Sequence, residues 1–200
     1  MTSTVSRLYD NYSDAQNAVR KLETAGVPHS DISIVANNSD GWYDGKKDRD
    51  DDGVDDRAEA AGTGAGVGAG LGGAAGLLAG LGLLAIPGLG PVVAAGWLAA
   101  TAVGAAAGAA TGGLVGALTQ AGVSDDDAPL YAEGVRRGGS LVTAKVADND
   151  RARLEAILDT ASVDLRGRSA AWKKNGWTGY DPASEPYGAE DVRKERTLYR

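Results

Sequence analysis

The chain contains no cysteine, no phenylalanine and a single histidine, His29, among 200 residues. Without cysteine there are no disulfides, thiolate nucleophiles, iron–sulfur clusters or cysteine-zinc sites. One histidine leaves no imidazole cluster for a transition metal and no spare base for a serine triad. Positive charge is also short: 27 acids outnumber 20 bases, a net charge of −7. Binding a phosphate backbone needs a basic face, so nucleic acid is not an expected partner. Met1–Asp10 lacks the apolar core of a signal peptide. A cytoplasmic start is therefore expected, in keeping with the missing cysteines. These absences disfavour most enzyme classes, and a non-enzymatic protein is expected.

What is present is unevenly spread. Residues 38–59 hold nine acids and four bases, which accounts for −5 of the −7. Asp125, Asp126 and Asp127 add −3. Between these blocks lies 60–124, a stretch of 65 residues without a charge, of which 19 are Gly and 20 Ala. A polar domain thus carries an uncharged insert of small residues.

The polar parts read as one α+β domain in two halves, 1–37 and 125–168. Val5–Tyr9 is a short strand. Ser13 and Gln16 form a capping box, and Ala15, Ala18, Val19, Leu22 and Ala25 recur at helical spacing before Gly26. Asp31–Ala36 reads as the second strand. After the insert come a helix at Ala128–Arg137, a strand at Ser140–Val146, a helix lined by Leu154, Ile157, Leu158 and Ala161, and a last short strand at Val163–Leu165. Joined across the insert, this is a ferredoxin-like βαββαβ pattern with both helices on one face of the sheet. Residues 169–200, with Trp172, Trp177, Tyr180 and Tyr187, form an aromatic and charged C-terminal arm.

The opening stretch VSRLYDNYSDAQNAVRKLETAGVPHSDISIVAN resembles the heat-induced or general stress protein family of the YflT type. The insert AAGLLAGLGLLAIPGLGPVVAAGWLAATAVGAAAGAATGGLVGAL and the following LYAEGVRRGGSLVTAKV are similar to its longer, glycine-rich bacterial forms. The resemblance implies a stress-associated bacterial protein and names no catalytic residue.

In the insert, Pro87 and Pro91 break any helix, so Ile86–Pro91 is expected to turn. The flanking arms, 60–86 and 92–121, are each long enough to cross a bilayer as helices. Small residues recur every four positions: Gly64, Gly68, Gly72, Gly76 and Gly80 in the first, Gly96, Ala100, Gly104, Gly108, Gly112 and Gly116 in the second. On helices each set is a flat stripe that lets two backbones approach. The expectation is a glycine-zipper helical hairpin. Glycine costs a helix about 1 kcal/mol relative to alanine, so the arms need a packed setting. Two settings supply one: membrane lipid, with both polar halves on the cytoplasmic side, or a homo-oligomer. The acidic flanks lack the Lys and Arg that membrane topology favours.

Residues 48–59 match the calcium-loop spacing D-x-D-x-D-G-x₅-E. Asp48, Asp50, Asp52 and Glu59 would give carboxylates, Val54 its carbonyl, and Asp56 a water-bridged ligand. Asp55 fills a position usually apolar, and no entering helix is evident before Asp48. The loop reads as a calcium site or as a solvated acidic linker. Gly68, Gly70 and Gly73 fit G-x-G-x-x-G but follow no strand, so they carry no dinucleotide reading.

Overall fold

Alternation of side chains sets the first strand. The computed structural model describes residues 2–43, 82–86, 89–99, 101 and 113–199. Within it β1 spans Thr2–Tyr9. Val5 and Tyr9 enter the core on one face of the sheet and Leu8 enters the core on the other. The following helix, α1 (Tyr12–Thr24), buries Ala15, Ala18, Val19 and Leu22, the stripe expected from their spacing. Its cap is Asn11 rather than Ser13. The Asn11 side chain accepts from the Asp14 backbone N–H at 2.9 Å, while Ser13 is already helical. β2 (Ile32–Asn37) is buried along its whole length, as a central strand must be.

The insert departs from expectation where it is described. Residues 82–96 are not the facing ends of two helices. Gly82–Ile86 form β3 and Gly90–Gly96 form β4. The reversal falls where the prolines placed it: Ile86 pairs with Gly90, and the Leu89 N–H donates to the Ile86 carbonyl at 3.0 Å. It joins strands because β4 can pair antiparallel with the open side of β2. There the β-branched Val92 and Val93 are buried on opposite faces, a good use of residues that weaken helices. An unbroken apolar run does not by itself distinguish a buried strand from a buried helix. The rest of the expected zipper (Gly64, Gly68, Gly72, Gly76, Gly80, Gly104, Gly108 and Gly112) lies outside the described residues. So does the calcium-pattern loop, 48–59.

With β5 at Ser140–Ala147, the sheet order is β1-β5-β2-β4-β3, and every neighbouring pair is antiparallel. This differs from the ferredoxin-like order. β1 and β2 run parallel with β5 between them, a split βαβ unit. The expected last strand, Val163–Leu165, does not form. Val163 makes one backbone bond, N–H to the Leu8 carbonyl at 2.8 Å, and Asp164 then caps a helix. Helices cover both faces rather than one. α1 and α4 (Arg151–Leu158) pack on the first face; α2 (Gly113–Gln120) and α3 (Ala128–Arg136) pack on the second. The result is an α+β protein whose described residues form three layers around two apolar clusters.

The C-terminal arm folds onto this body as α5 (Leu165–Lys174) and α6 (Ala189–Thr197). Trp172 and Val192 are buried by it. Among the described residues, no helix is long and apolar enough to cross a membrane.

Candidate functional site

Two of the residues expected on the zipper stripe are described, and they do different things. Gly116 is half-buried in α2, where its carbonyl accepts from the Thr119 hydroxyl at 3.2 Å. Gly96 ends β4 at φ 87 and pairs with Ser33. Its role is therefore a close strand approach, not helix packing. Among the described residues, no three Asp, Glu or His side chains converge to hold a metal ion.

The second face of the sheet changes character along its strands. At one end it is apolar, with Leu8, Leu141 and Val35 side by side in register. The next row is Ser6, Thr143 and Ser33, all buried. These hydroxyls are satisfied, as burial demands. Ser6 and Thr143 bond at 3.1 Å, and Ser33 donates to the Ala95 carbonyl at 2.7 Å and accepts from the Leu98 N–H. Beyond them Thr4 lies opposite Lys145. Here the sheet surface opens into a cleft of about 310 Å³.

Thr2, Thr4 and Lys145 form its floor, the end of α2 (Ala117, Gln120, Ala121) one wall, and Trp97 and Thr101 the other. The Thr4 hydroxyl donates to the Ala121 carbonyl at 2.5 Å, tying β1 to the end of α2. Trp97 is fixed by its indole N–H to the Asp31 carbonyl at 3.3 Å. The Lys145 ammonium sits 4.2 Å from the centre of the Trp97 ring, a cation–π contact. Among the described residues the lining holds one cation, several hydroxyls and an amide, but no carboxylate and no imidazole.

Arg136, Arg137 and Lys145 lie close together in the sequence. The structure separates them. Lys145 lies at the cleft end of β5, and the two arginines lie past the opposite end, at the close of α3. There Glu133, fully buried, accepts from Arg136 at 3.0 and 2.9 Å and from Arg137 at 2.5 Å. Arg137 reaches on to Glu195 of α6 at 3.1 Å, and Glu195 also accepts from the Trp172 indole N–H at 2.7 Å. Arg168 bonds both oxygens of Asp10, and Arg196 bonds Asp40 at 2.8 Å. Each of these guanidiniums has a carboxylate partner, so the cluster fastens the arm and offers no free charge to a ligand. The signal missed in the sequence was the alternation Leu141, Thr143, Lys145, which puts the lysine on the same face as Thr4.

Several phenols are held neutral by this packing. Burial pushes Tyr180 up to about 12. It raises Tyr9, whose hydroxyl donates to the Leu158 carbonyl at 2.7 Å, and Tyr131, whose hydroxyl donates to Ser6. A phenol raised on folding stabilises the fold at every pH below its unfolded value near 10. That contribution disappears as pH rises through the folded value. Stability should therefore fall from about pH 10 upward. Tyrosinate absorbance at 295 nm should show a late-titrating fraction that ionises together with unfolding. A single transition near pH 10 with the fold intact would contradict this packing.

No family model matches the chain, and neither a curated protein nor a solved structure matches it. None of the three identifies the general stress protein family that its segments resemble.

Proposed function

We propose that the chain is a non-enzymatic, self-assembling protein of the stress-associated bacterial type its segments resemble, and that it assembles through the uncharged stretch 60–124. The observation that supports this reading is the contrast between the two edges of the sheet. An exposed strand edge is a template for pairing with another chain unless it is blocked. On β1 the Leu8 carbonyl is taken by Val163, and the Ser6 carbonyl accepts from Tyr131 and from Arg7 at 2.7 and 2.9 Å. Among the described residues β3 has no such guard, and Gly82–Ile86 carries no charge and no proline. Leu83 is 46 % exposed although its partner Val93 is fully buried, so the helical cover stops short of this edge.

The inserted hairpin extends the β1-β5-β2 part of the sheet on the far side of β2. The insert thus supplies the edge it would use. The occupant that fits is a second copy pairing β3 with β3. Assembly would follow concentration, as pairing of identical chains must.

Light scattering on the intact chain tests this. Wild type is expected to run as a multiple of 20.2 kDa. Leu83→Lys, which puts a charge on the edge, is expected to shift it toward monomer. Gly72→Leu with Gly108→Leu tests packing through the glycine stripes separately. Unchanged oligomer mass in Leu83→Lys would refute edge pairing. Equal flotation of wild type and Leu83→Lys with vesicles would favour lipid as the setting instead.

A further inference from the structure

We propose that the cleft between β1, β5, Trp97 and the end of α2 binds a small organic carboxylate, with the Lys145 ammonium as its charge anchor. The inference is independent of assembly, because the cleft opens at the β1–β5 side of the sheet and the proposed pairing edge is β3.

Size comes first. About 310 Å³ is the lower end of the range occupied by small-molecule sites, and it is far more than a bare ion needs. The ligand must therefore have a body as well as a charged head. Charge comes second. Among the described residues of the lining, Lys145 is the one titratable side chain. Among the described residues it has no carboxylate within salt-bridge distance; its neighbour is the Trp97 ring face. This sets it apart from Arg136, Arg137, Arg168 and Arg196, each of which is paired with an acid. In a chain of net charge −7, such a cation in a carboxylate-free cleft selects an anion. A single positive charge balances a carboxylate and leaves a phosphate dianion half compensated, in the field of an acidic protein.

Geometry comes third. Thr2 and Gln120 add polar groups at the floor and wall, and Thr101 adds a hydroxyl that now donates to the Trp97 carbonyl at 2.9 Å. The Trp97 indole and the methyls of Ala117 and Ala121 give the body an apolar surface. Trp97 is held by Asp31 and Thr4 by Ala121, so two walls are fixed before a ligand arrives. Preformed walls lower the ordering cost of binding.

The test uses the intact chain and ligand-observed fluorine NMR, which tolerates a large assembly. The probes are 4-fluorobenzoate, the neutral 4-fluorobenzamide of the same shape, and inorganic phosphate as competitor. The carboxylate should bind, the amide should bind at least about tenfold more weakly, and phosphate should not displace the carboxylate. Lys145→Gln should weaken the carboxylate by about tenfold or more, and Lys145→Arg should restore most of it. Lys145 is exposed, so both variants should keep the wild-type circular dichroism spectrum. Equal binding of acid and amide, unchanged affinity in Lys145→Gln, or no carboxylate binding at millimolar concentration would each overturn the assignment. Displacement by phosphate would overturn the choice of carboxylate.

Discussion

Gly96→Ala should lower the unfolding free energy by about 3–5 kcal/mol, out of the 5–15 kcal/mol typical of a domain. Two effects add. Gly96 holds φ 87, a region that costs a side-chain-bearing residue about 1–2 kcal/mol. A Cβ there would also strike the Ile32 carbonyl oxygen and come within 2.9 Å of the Ser33 Cα. Both obstacles are backbone, so relief requires β4 to move off β2. That movement strains the Ser33 hydroxyl, which bonds Ala95 and Leu98 across the same gap. Gly26→Ala is the control. Gly26 has a similar φ of 94, and a methyl added there would meet nothing within 4 Å, so only the conformational cost of about 1–2 kcal/mol applies. Urea unfolding of both variants at one protein concentration, with equal slopes, separates the two terms. Equal losses in the two variants would show that β4 does not approach β2 as described.

Glu133→Leu should cost about 3–5 kcal/mol, for a different reason. The leucine fits the space, but it leaves Arg136 and Arg137, whose side chains are 12–13 % exposed, without their shared carboxylate. Arg137 is also the link to Glu195, and Glu195 is the partner of the buried Trp172 indole. Loss of Glu133 should therefore loosen the arm. Trypsin should then cut early at the exposed Arg166, Lys173 and Lys174. Adding Arg136→Leu should return part of the loss, since it removes the charge left without a carboxylate, whereas Arg137 still has Glu195. A Glu133→Leu variant within about 0.5 kcal/mol of wild type, the usual scale of surface changes, with unaltered proteolysis, would show that the network does not hold the arm.

The residues that were legible in the sequence share one property: a face. α1 buries the expected Ala15, Ala18, Val19 and Leu22, and α3 forms where a helix was expected, with Pro129 in its first turn. β2 and β5 follow their β-branched runs. Three kinds of residue were not legible. The 82–96 segment is apolar on every side, so its period carries no information, and the open side of β2 decided the outcome. α6 has Val192 as its buried apolar residue and is otherwise polar, so its anchor is an ion pair network that no local pattern displays. Val163 keeps one bond of the expected last strand, because the chain leaves at once into the helix capped by Asp164.

The candidate cleft was illegible for a related reason. Its lining comes from residues 2–4, from 97 and 101, from 117, 120 and 121, and from 145, which only the sheet order brings together. Trp97 and Lys145 stand 48 positions apart, and no local pattern couples them. The two stretches with the clearest local patterns, the acidic loop at 48–59 and most of the glycine repeat, lie outside the described residues.

In the proposed assembly, β3 is the surface on which copies of the chain meet. The natural chain has no cysteine, so Leu83→Cys introduces a single thiol that is exposed on that edge. The direct measurement is cross-linking of this variant, as the intact chain, with a short bis-maleimide. Edge pairing gives a covalent dimer of twice the chain mass, and adding Ala85→Lys on the same strand should abolish it. Only singly modified monomer, at a concentration where the same sample still scatters as an oligomer, would place the contact elsewhere.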